Sequence, residues 1–363
     1  MLVINYIVLC FIITLSFGLQ CRDENNNPVD WYVIYKLPKQ AAHKNDFIKQ
    51  GLAFMYMTSN DYSKWTLSKV NINDTSSMVA HTLSGLYNNK EENLYIVYND
   101  QPPCERFERT ASQGHTKGVV MSDVNEGFLL THSVPHYPYN LEHYEYPTTG
   151  THYGQSFLCI SLGMKYLNII GLQLQYNEPH IFAQNTPESL KNILPELFKA
   201  ANHETVKMSP WFNVENITSL GGTKFTSFAK SGKFDKDLYA NLVGAYLQSN
   251  LYVETWPNEP NRLPSDCDGN FHVDNILSIS VPEPSISFKT ASDHSKWAVS
   301  TVNDSLKWLC IGDINRAEKQ TKRGGGTTCI NNEKLASQYL NIVSSVEQCK
   351  SEHFYEIISN SIE

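Results

Sequence analysis

Short runs of β-branched, aromatic and aliphatic residues recur along this chain, at Trp31–Tyr35, Leu94–Tyr98, Val119–Met121, Phe128–His132, Ser156–Leu162, Ile276–Ile279 and Trp297–Thr301. Runs of that length predict strands. Apolar positions at helical spacing are clearest over Pro187–Ala201, Lys236–Leu247 and Glu333–Ser345. Pro187 suits a helix start, because the first turn leaves its N–H groups unbonded anyway. Strands alternating with helices predict α/β layers. His132 to Tyr153, rich in His, Tyr and Pro, reads as a long ordered loop, and Arg22 to Asn27 as a disordered segment. Arg323 to Thr328 is Gly-rich but lacks the spacing of a Walker or dinucleotide motif, which argues against a nucleotide cofactor.

Two of the twelve histidines are followed two places later by a lysine: His115 with Lys117, and His294 with Lys296. Both pairs lead into predicted strands. Residues i and i+2 of a strand share a face, so each pair can present an imidazole and an ammonium to one ligand. About one such triplet arises by chance in a chain of this composition. The pattern therefore gains its weight from its flanks, Gly114-His115-Thr116-Lys117-Gly118-Val119-Val120 and Asp293-His294-Ser295-Lys296-Trp297-Ala298-Val299-Ser300.

The apolar run Leu2 to Phe17, closing on Ser16-Phe17-Gly18, reads as a secretory signal over residues 1–18, although no Lys or Arg precedes its core. It is short for a membrane anchor, and no other stretch approaches a span. The chain beyond residue 18 is long enough for two modest domains or one large one. Without Cys10, seven cysteines remain; an odd number leaves at least one thiol free or intermolecular. No Cys-x-x-Cys exists, which disfavours zinc or a thioredoxin-type redox role. The sequons at Asn73, Asn216 and Asn303 suit a glycoprotein. The formal charge of −8 at pH 7 repels a polyanion at long range. Protonating all twelve histidines takes it from −8 to +4, so acidification reverses the overall field.

With those flanks in view, the sequence resembles the deoxyribonuclease II family, the acid endonuclease branch of the phospholipase D superfamily. The matching stretches are Val29-Asp30-Trp31-Tyr32-Val33-Ile34-Tyr35-Lys36-Leu37-Pro38, Tyr98-Asn99-Asp100-Gln101-Pro102-Pro103, the first motif, His132-Ser133-Val134-Pro135, Tyr153-Gly154-Gln155, Ile181-Phe182-Ala183-Gln184, Ser227-Phe228-Ala229-Lys230, the second motif, Cys310-Ile311-Gly312-Asp313-Ile314-Asn315-Arg316 and Arg323-Gly324-Gly325-Gly326-Thr327. The resemblance implies a phospholipase D-like α/β fold with two similar α/β sandwich lobes, residues 19–175 and 176–363. Each lobe gives one His-x-Lys to a shared central cleft. It implies disulfides Cys21–Cys159, Cys267–Cys349 and Cys310–Cys329, with Cys104 left over. It implies a DNA substrate, no metal or other cofactor, no membrane anchor, and a lysosomal or secreted destination; a homodimer is compatible with it.

The implied chemistry is phosphodiester hydrolysis by His115, Lys117, His294 and Lys296. One imidazole attacks phosphorus to give a phosphohistidine. The other, protonated, releases the 5′ oxygen and then activates water, leaving a 3′-phosphate. The lysines hold the non-bridging oxygens. One neutral and one protonated imidazole are needed together, which predicts a bell-shaped pH profile on the acid side, shifted down by the nearby ammonium groups. The nucleophile stays open between the two histidines. Many phospholipase D relatives carry an acidic residue five places after the lysine; here Ser122 and Thr301 stand there, with Asp123 one place late. His132 reads equally as a ligand of the phosphate or a structural histidine. Asp313, Asn315 and Arg316 read as cleft wall, with Asn315 toward substrate, or as a turn held by the Cys310–Cys329 bridge. Trp297 reads as core. Lys224, Lys230 and Lys233 read as a solvated face, with phosphate contacts as the alternative. Two other readings fit the motifs: a phosphodiesterase acting on short nucleic acids or phospholipids, and a secreted family member that binds DNA or a host partner without cutting.

Overall fold

Two large, mainly antiparallel sheets, back to back, organise the chain. The computed structural model describes residues 18–103 and 113–348. The expected signal, Cys104 and Cys349 therefore lie outside the described residues, apart from Gly18. The first sheet has eight strands, ordered Ile181–Asn185, Leu94–Asn99, Lys117–Ser122, Glu126–His132, Gln155–Gly163, Trp31–Lys36, Phe54–Thr58, Asp61–Leu67. The second has nine: Phe212–Thr218, Lys224–Lys230, Gly325–Asn331, Trp308–Gly312, Trp297–Ser300, Leu251–Glu254, Val273–Val281 and Ile286–Lys289 in order, with Val343–Val346 also pairing Val273–Val281.

A repeated order is hidden in this. In the first sheet the strands at 31–36, 94–99, 117–122, 126–132 and 155–163 lie second-third-fourth-fifth-first, all antiparallel. In the second, the strands at 224–230, 251–254, 297–300, 308–312 and 325–331 lie in the same order and sense. Each His-x-Lys leads into the third strand of its set.

The central core lies between the sheets. Trp31, Val33, Tyr35, Leu158 and Ile160 of one meet Phe225, Trp297, Val299, Leu309 and Ile311 of the other. The helix Met164–Asn177 packs against strands of both sheets, and Glu333–Leu340 against the strands at 61–67, 297–300 and 308–312. Trp297 is fully buried, as its sequence context implied. The outer faces are covered by the helices Met78–Thr82 and Ser84–Asn88 on one side and by residues 238–247 on the other. The Cys21–Cys159 bridge ties the short strand Cys21–Arg22 to the middle of Gln155–Gly163, 138 residues apart, and Cys310–Cys329 joins directly paired strands. Closing a loop that long stabilises the fold by about 3–5 kcal/mol in the chain-entropy account. Cys267 is disulfide-bonded.

Several expected elements differ. The periodicity at 187–201 is two pieces, a 3-10 turn at Glu188–Leu190 and a helix at Pro195–Ala201. Pro195, lacking an N–H, starts the second piece rather than continuing the first. The helix expected over Glu333–Ser345 stops at Leu340, and Val343–Val346 is a strand. Residues 239–244 are wound as a π-helix. Arg22 to Asn27 is an ordered turn: Asp23 accepts from the backbone N–H of Asn25 and Asn27. Residue 175, the expected lobe boundary, lies inside the helix Met164–Asn177. Among the described residues, no helix is long and apolar enough to cross a membrane.

Candidate active site

The two His-x-Lys segments meet where the sheets face each other, and each is bonded through its backbone to the opposite sheet's loops. The His115 N–H donates to Gly324 O at 2.9 Å, and the His294 N–H donates to Gly154 O at 2.9 Å. The Lys296 N–H donates to Ser156 Oγ at 3.1 Å. Glycine is required at the crossing: a Cβ on Gly154 would run into the Asp293 carboxylate, and one on Gly324 into the Asn177 carbonyl. Lys117 and Lys296 each act electrostatically on both imidazoles. The four residues picked from the sequence thus form one charged cluster.

The first half-site is polar. Asp100 accepts from Lys117 Nζ and from Arg323 Nη2 at 3.1 Å, and lies 3.8 Å from His115 Nε2. Burial alone would raise the Asp100 pKa, but Lys117, His115 and Arg323 outweigh it and hold the carboxylate ionised. On the other side of the ring, His115 Nδ1 is 2.8 Å from Gln320 Oε1, while the Gln320 amide N–H donates to Glu259 Oε1 at 2.5 Å. Since Glu259 accepts that amide proton, the Gln320 oxygen faces His115 and must accept. The proton of neutral His115 therefore sits on Nδ1, leaving the lone pair on Nε2, the nitrogen on the Asp100 side of the ring.

The second half-site is aromatic. His294 stacks on Tyr153, with ring centroids 4.1 Å apart and planes 7° from parallel, and Trp256 packs edge-on at 4.5 Å. His294 Nε2 is buried and has no hydrogen-bond partner among the described residues. Asp293 is turned away, accepting from Tyr35 Oη and from the Ser295 N–H and Oγ–H. Glu254, also fully buried, has neither carboxyl oxygen bonded among the described residues; burial, with Asp293, pushes its carboxyl well above the usual range and favours the protonated form.

Both imidazoles are held neutral. Burial lowers the His115 pKa well below 6.5, with Asp100 opposing it and Lys117, Arg323 and Lys296 adding to it. Burial and then Lys296 and Lys117 push His294 far down as well. Burial, followed by the neighbouring Lys117, lowers Lys296 to about 7. The site is an excess of buried positive charge built for an anion. A bound phosphodiester would raise every one of these values, coupling protonation to substrate.

The remaining expected residues stand behind this set. His132 is fully buried between Tyr137 and Phe157; its Nδ1 accepts from the Val134 N–H, and its Nε2 has no hydrogen-bond partner among the described residues. Asn315 is buried and donates to Glu259 Oε2 at 2.8 Å, so it steadies the Glu259–Gln320 relay to His115. Asp313 is buried, accepts from the Gly326 N–H and is pushed up to about 7 by burial. Arg316 is buried and donates to Asp237 and Asn275. Lys230 is not on a solvated face; it is buried and donates to three carbonyls. Lys224 is exposed, and Lys233 sits over the Trp211 ring at 4.5 Å. Asn73, Asn216 and Asn303 are all exposed. Among the described residues, no three His, Cys, Asp or Glu side chains form a metal-binding group.

A family model for deoxyribonuclease II matches residues 20–349. The chain belongs to the deoxyribonuclease II family. Its relatives include Deoxyribonuclease-2-alpha of Rattus norvegicus, 37% identical over 337 residues, covering 92% of this chain and 95% of the relative. Plancitoxin-1 of Acanthaster planci is 36% identical over 92% of this chain and 93% of its own length. Cell death-related nuclease 6 of Caenorhabditis elegans is 36% identical over 91% and 89%. Within this family member, sequence reading missed Asp100, Glu259, Gln320, Trp256 and Glu254 as parts of the site. Asp100, Tyr153 and Arg323 lay in stretches that carried the resemblance; Glu259 and Trp256 are single loop residues, and Gln320 lies in the one-turn helix Glu318–Thr321, with no spacing to mark any of them.

Proposed function

We propose that the chain is an acid endodeoxyribonuclease of the secretory pathway, lysosomal or secreted, with the phospholipase D-like plan of two lobes sharing one cleft. The repeated strand order of the two sheets supports that plan. The observation that carries the activity is the crossing of the two motifs, each histidine bonded through its backbone to the other sheet and influenced by both lysines. Charge on the transferring phosphoryl group is met by Lys117, Lys296 and Arg323, so no metal is called on.

His294 is the nucleophile in this reading. Its aromatic sandwich, without a carboxylate partner, keeps it neutral, and Nε2 attacks phosphorus as the P–O5′ bond breaks. His115 is the acid. Asp100 favours its imidazolium, Gln320 accepts the Nδ1 proton in either state, and the Nε2 proton goes to the departing O5′. His115 Nε2 then takes a proton from water, which displaces His294 and leaves a 3′-phosphate. Because His115 titrates below its ordinary value, activity grows as pH falls from neutral and is lost as pH rises through the substrate-bound pKa.

Plasmid nicking at acid pH in a chelator, by His115→Ala and His294→Ala separately, tests the shared site. Each variant should lose cleavage; undiminished cleavage by either would refute it. A lipid phosphodiester assayed alongside should be left intact.

A further inference from the structure

Two buried lysines, Lys36 and Lys230, have no place in the chemistry above. Each ends the first strand of its sheet's repeated set, and neither is more than 1% exposed. Neither makes an ion pair among the described residues; their Nζ protons go to backbone. Lys36 donates to Gly51 O at 3.1 Å and Thr151 O at 2.9 Å. Lys230 donates to Gln320 O at 3.1 Å, Thr321 O at 2.8 Å and Arg323 O at 2.6 Å. Burying an ammonium without a carboxylate is expensive. Burial pushes Lys36 well below its ordinary pKa and Lys230 down to about 8.

Their surroundings correspond position by position. Lys36 pairs with Gln155 and Lys230 with Gly325 in the strand registers. The residue before each partner is the glycine whose carbonyl receives a catalytic N–H: Gly154 from His294, Gly324 from His115. The residue before that glycine touches the half-site it serves. Tyr153 stacks on His294, and Arg323 bonds the Asp100 that faces His115. Three places before each glycine stands the threonine carbonyl that the lysine grips, Thr151 and Thr321. The loop that Lys36 grips belongs to the first sheet yet holds the second motif. The loop that Lys230 grips belongs to the second sheet yet holds the first.

We propose that Lys36 and Lys230 are a two-fold-related pair of positioning residues, each clamping the loop that holds the catalytic histidine of the opposite lobe. An ammonium shared by two or three carbonyls fixes those peptide planes, and through them the glycine carbonyl and the side chain beside it. This rests on the two-imidazole reading of the site.

The test compares Lys36→Met and Lys230→Met in the full chain, with His115→Ala and His294→Ala as controls, measuring kcat and KM across pH. Misplacing a reacting group by about 1 Å costs on the order of 100-fold, so each lysine variant should lose about 10- to 100-fold in kcat with KM nearly unchanged. Lys230→Met should move the pH limb belonging to His115 and leave the other, and Lys36→Met the limb belonging to His294. Lys230→Met combined with Gln320→Ala should lose less than the product of the two single losses, because both act through the same loop. If a methionine variant does not fold, Lys36→Gln and Lys230→Gln keep an uncharged amide donor group and should show the same limb shifts at smaller amplitude. Rates scaled equally at all pH, or unchanged kcat, would overturn the clamp assignment while the histidine controls stay dead. Active histidine controls would overturn the two-imidazole reading, and the clamp with it.

Discussion

The two half-sites sit on matching strands and donate to matching glycine carbonyls, yet their immediate surroundings are opposites. His115 has an ionised Asp100, a guanidinium and an amide relay around it. His294 has two aromatic rings nearby, and Glu254, whose protonated form is favoured. The difference shows how a repeated scaffold can give two chemically identical side chains different roles. A carboxylate beside one imidazole stabilises its charged form; aromatic walls with lysines beside the other favour its neutral form.

The largest expected effect breaks that comparison outright. Loss of general acid catalysis is worth about 10²–10⁴-fold, and only on substrates whose leaving group needs a proton. His115→Ala should therefore release nitrophenolate from a p-nitrophenyl phosphodiester in a rapid first-turnover burst, with later turnovers slow for want of the base that activates water, whereas His294→Ala should give no burst. Equal bursts from both, measured by nitrophenolate release, would remove the division of roles.

Next comes Asp100→Asn. The change takes away the carboxylate that raises the His115 pKa, so the high-pH limb of kcat should move to lower pH, with about 100-fold less activity. Tyr153→Ala and Trp256→Ala act on the other half. Opening the sandwich lets water reach His294 and brings its pKa up toward 6.5, so the low-pH limb should move up, with about 10-fold loss at the optimum. A limb moving the other way in either case, read from full pH profiles, would show the assignment inverted. The smallest effect is expected from Glu254→Gln. A carboxyl already protonated loses little when replaced by an amide, and activity should change by less than about threefold. A large change would mean that Glu254 is ionised in the working enzyme.

Much of this was legible from residues alone, for identifiable reasons. The strand runs stood out because both faces of those strands are buried, which leaves near-continuous apolar segments such as Trp31-Tyr32-Val33-Ile34-Tyr35. The two His-x-Lys triplets lay in stretches specific enough to recognise, and the bonds Cys21–Cys159 and Cys310–Cys329 followed from the resemblance those stretches carried. The helix Met164–Asn177 escaped because it packs against both sheets and buries Gln173 and Gln175, blurring any single apolar face. Those glutamines are satisfied by Ser227 and Glu196, partners that only the tertiary fold supplies. Gln320, Glu259 and Trp256 were invisible for a related reason: each lies away from any marked strand run, with no spacing that ties it to the histidine it serves. Lys230 misled in the opposite way, since a charged residue at a strand end ordinarily faces water.

The central claim, that the two motifs act on one phosphorus with His294 as nucleophile, is tested most directly by trapping the intermediate. DNA labelled at its internal phosphates would be mixed with enzyme at acid pH, the reaction stopped in alkaline denaturant, and the modified peptide mapped by mass spectrometry. The account predicts phosphate on His294 and none in His294→Ala. Label on His115, or steady turnover with no covalent phosphate on either histidine, would contradict it.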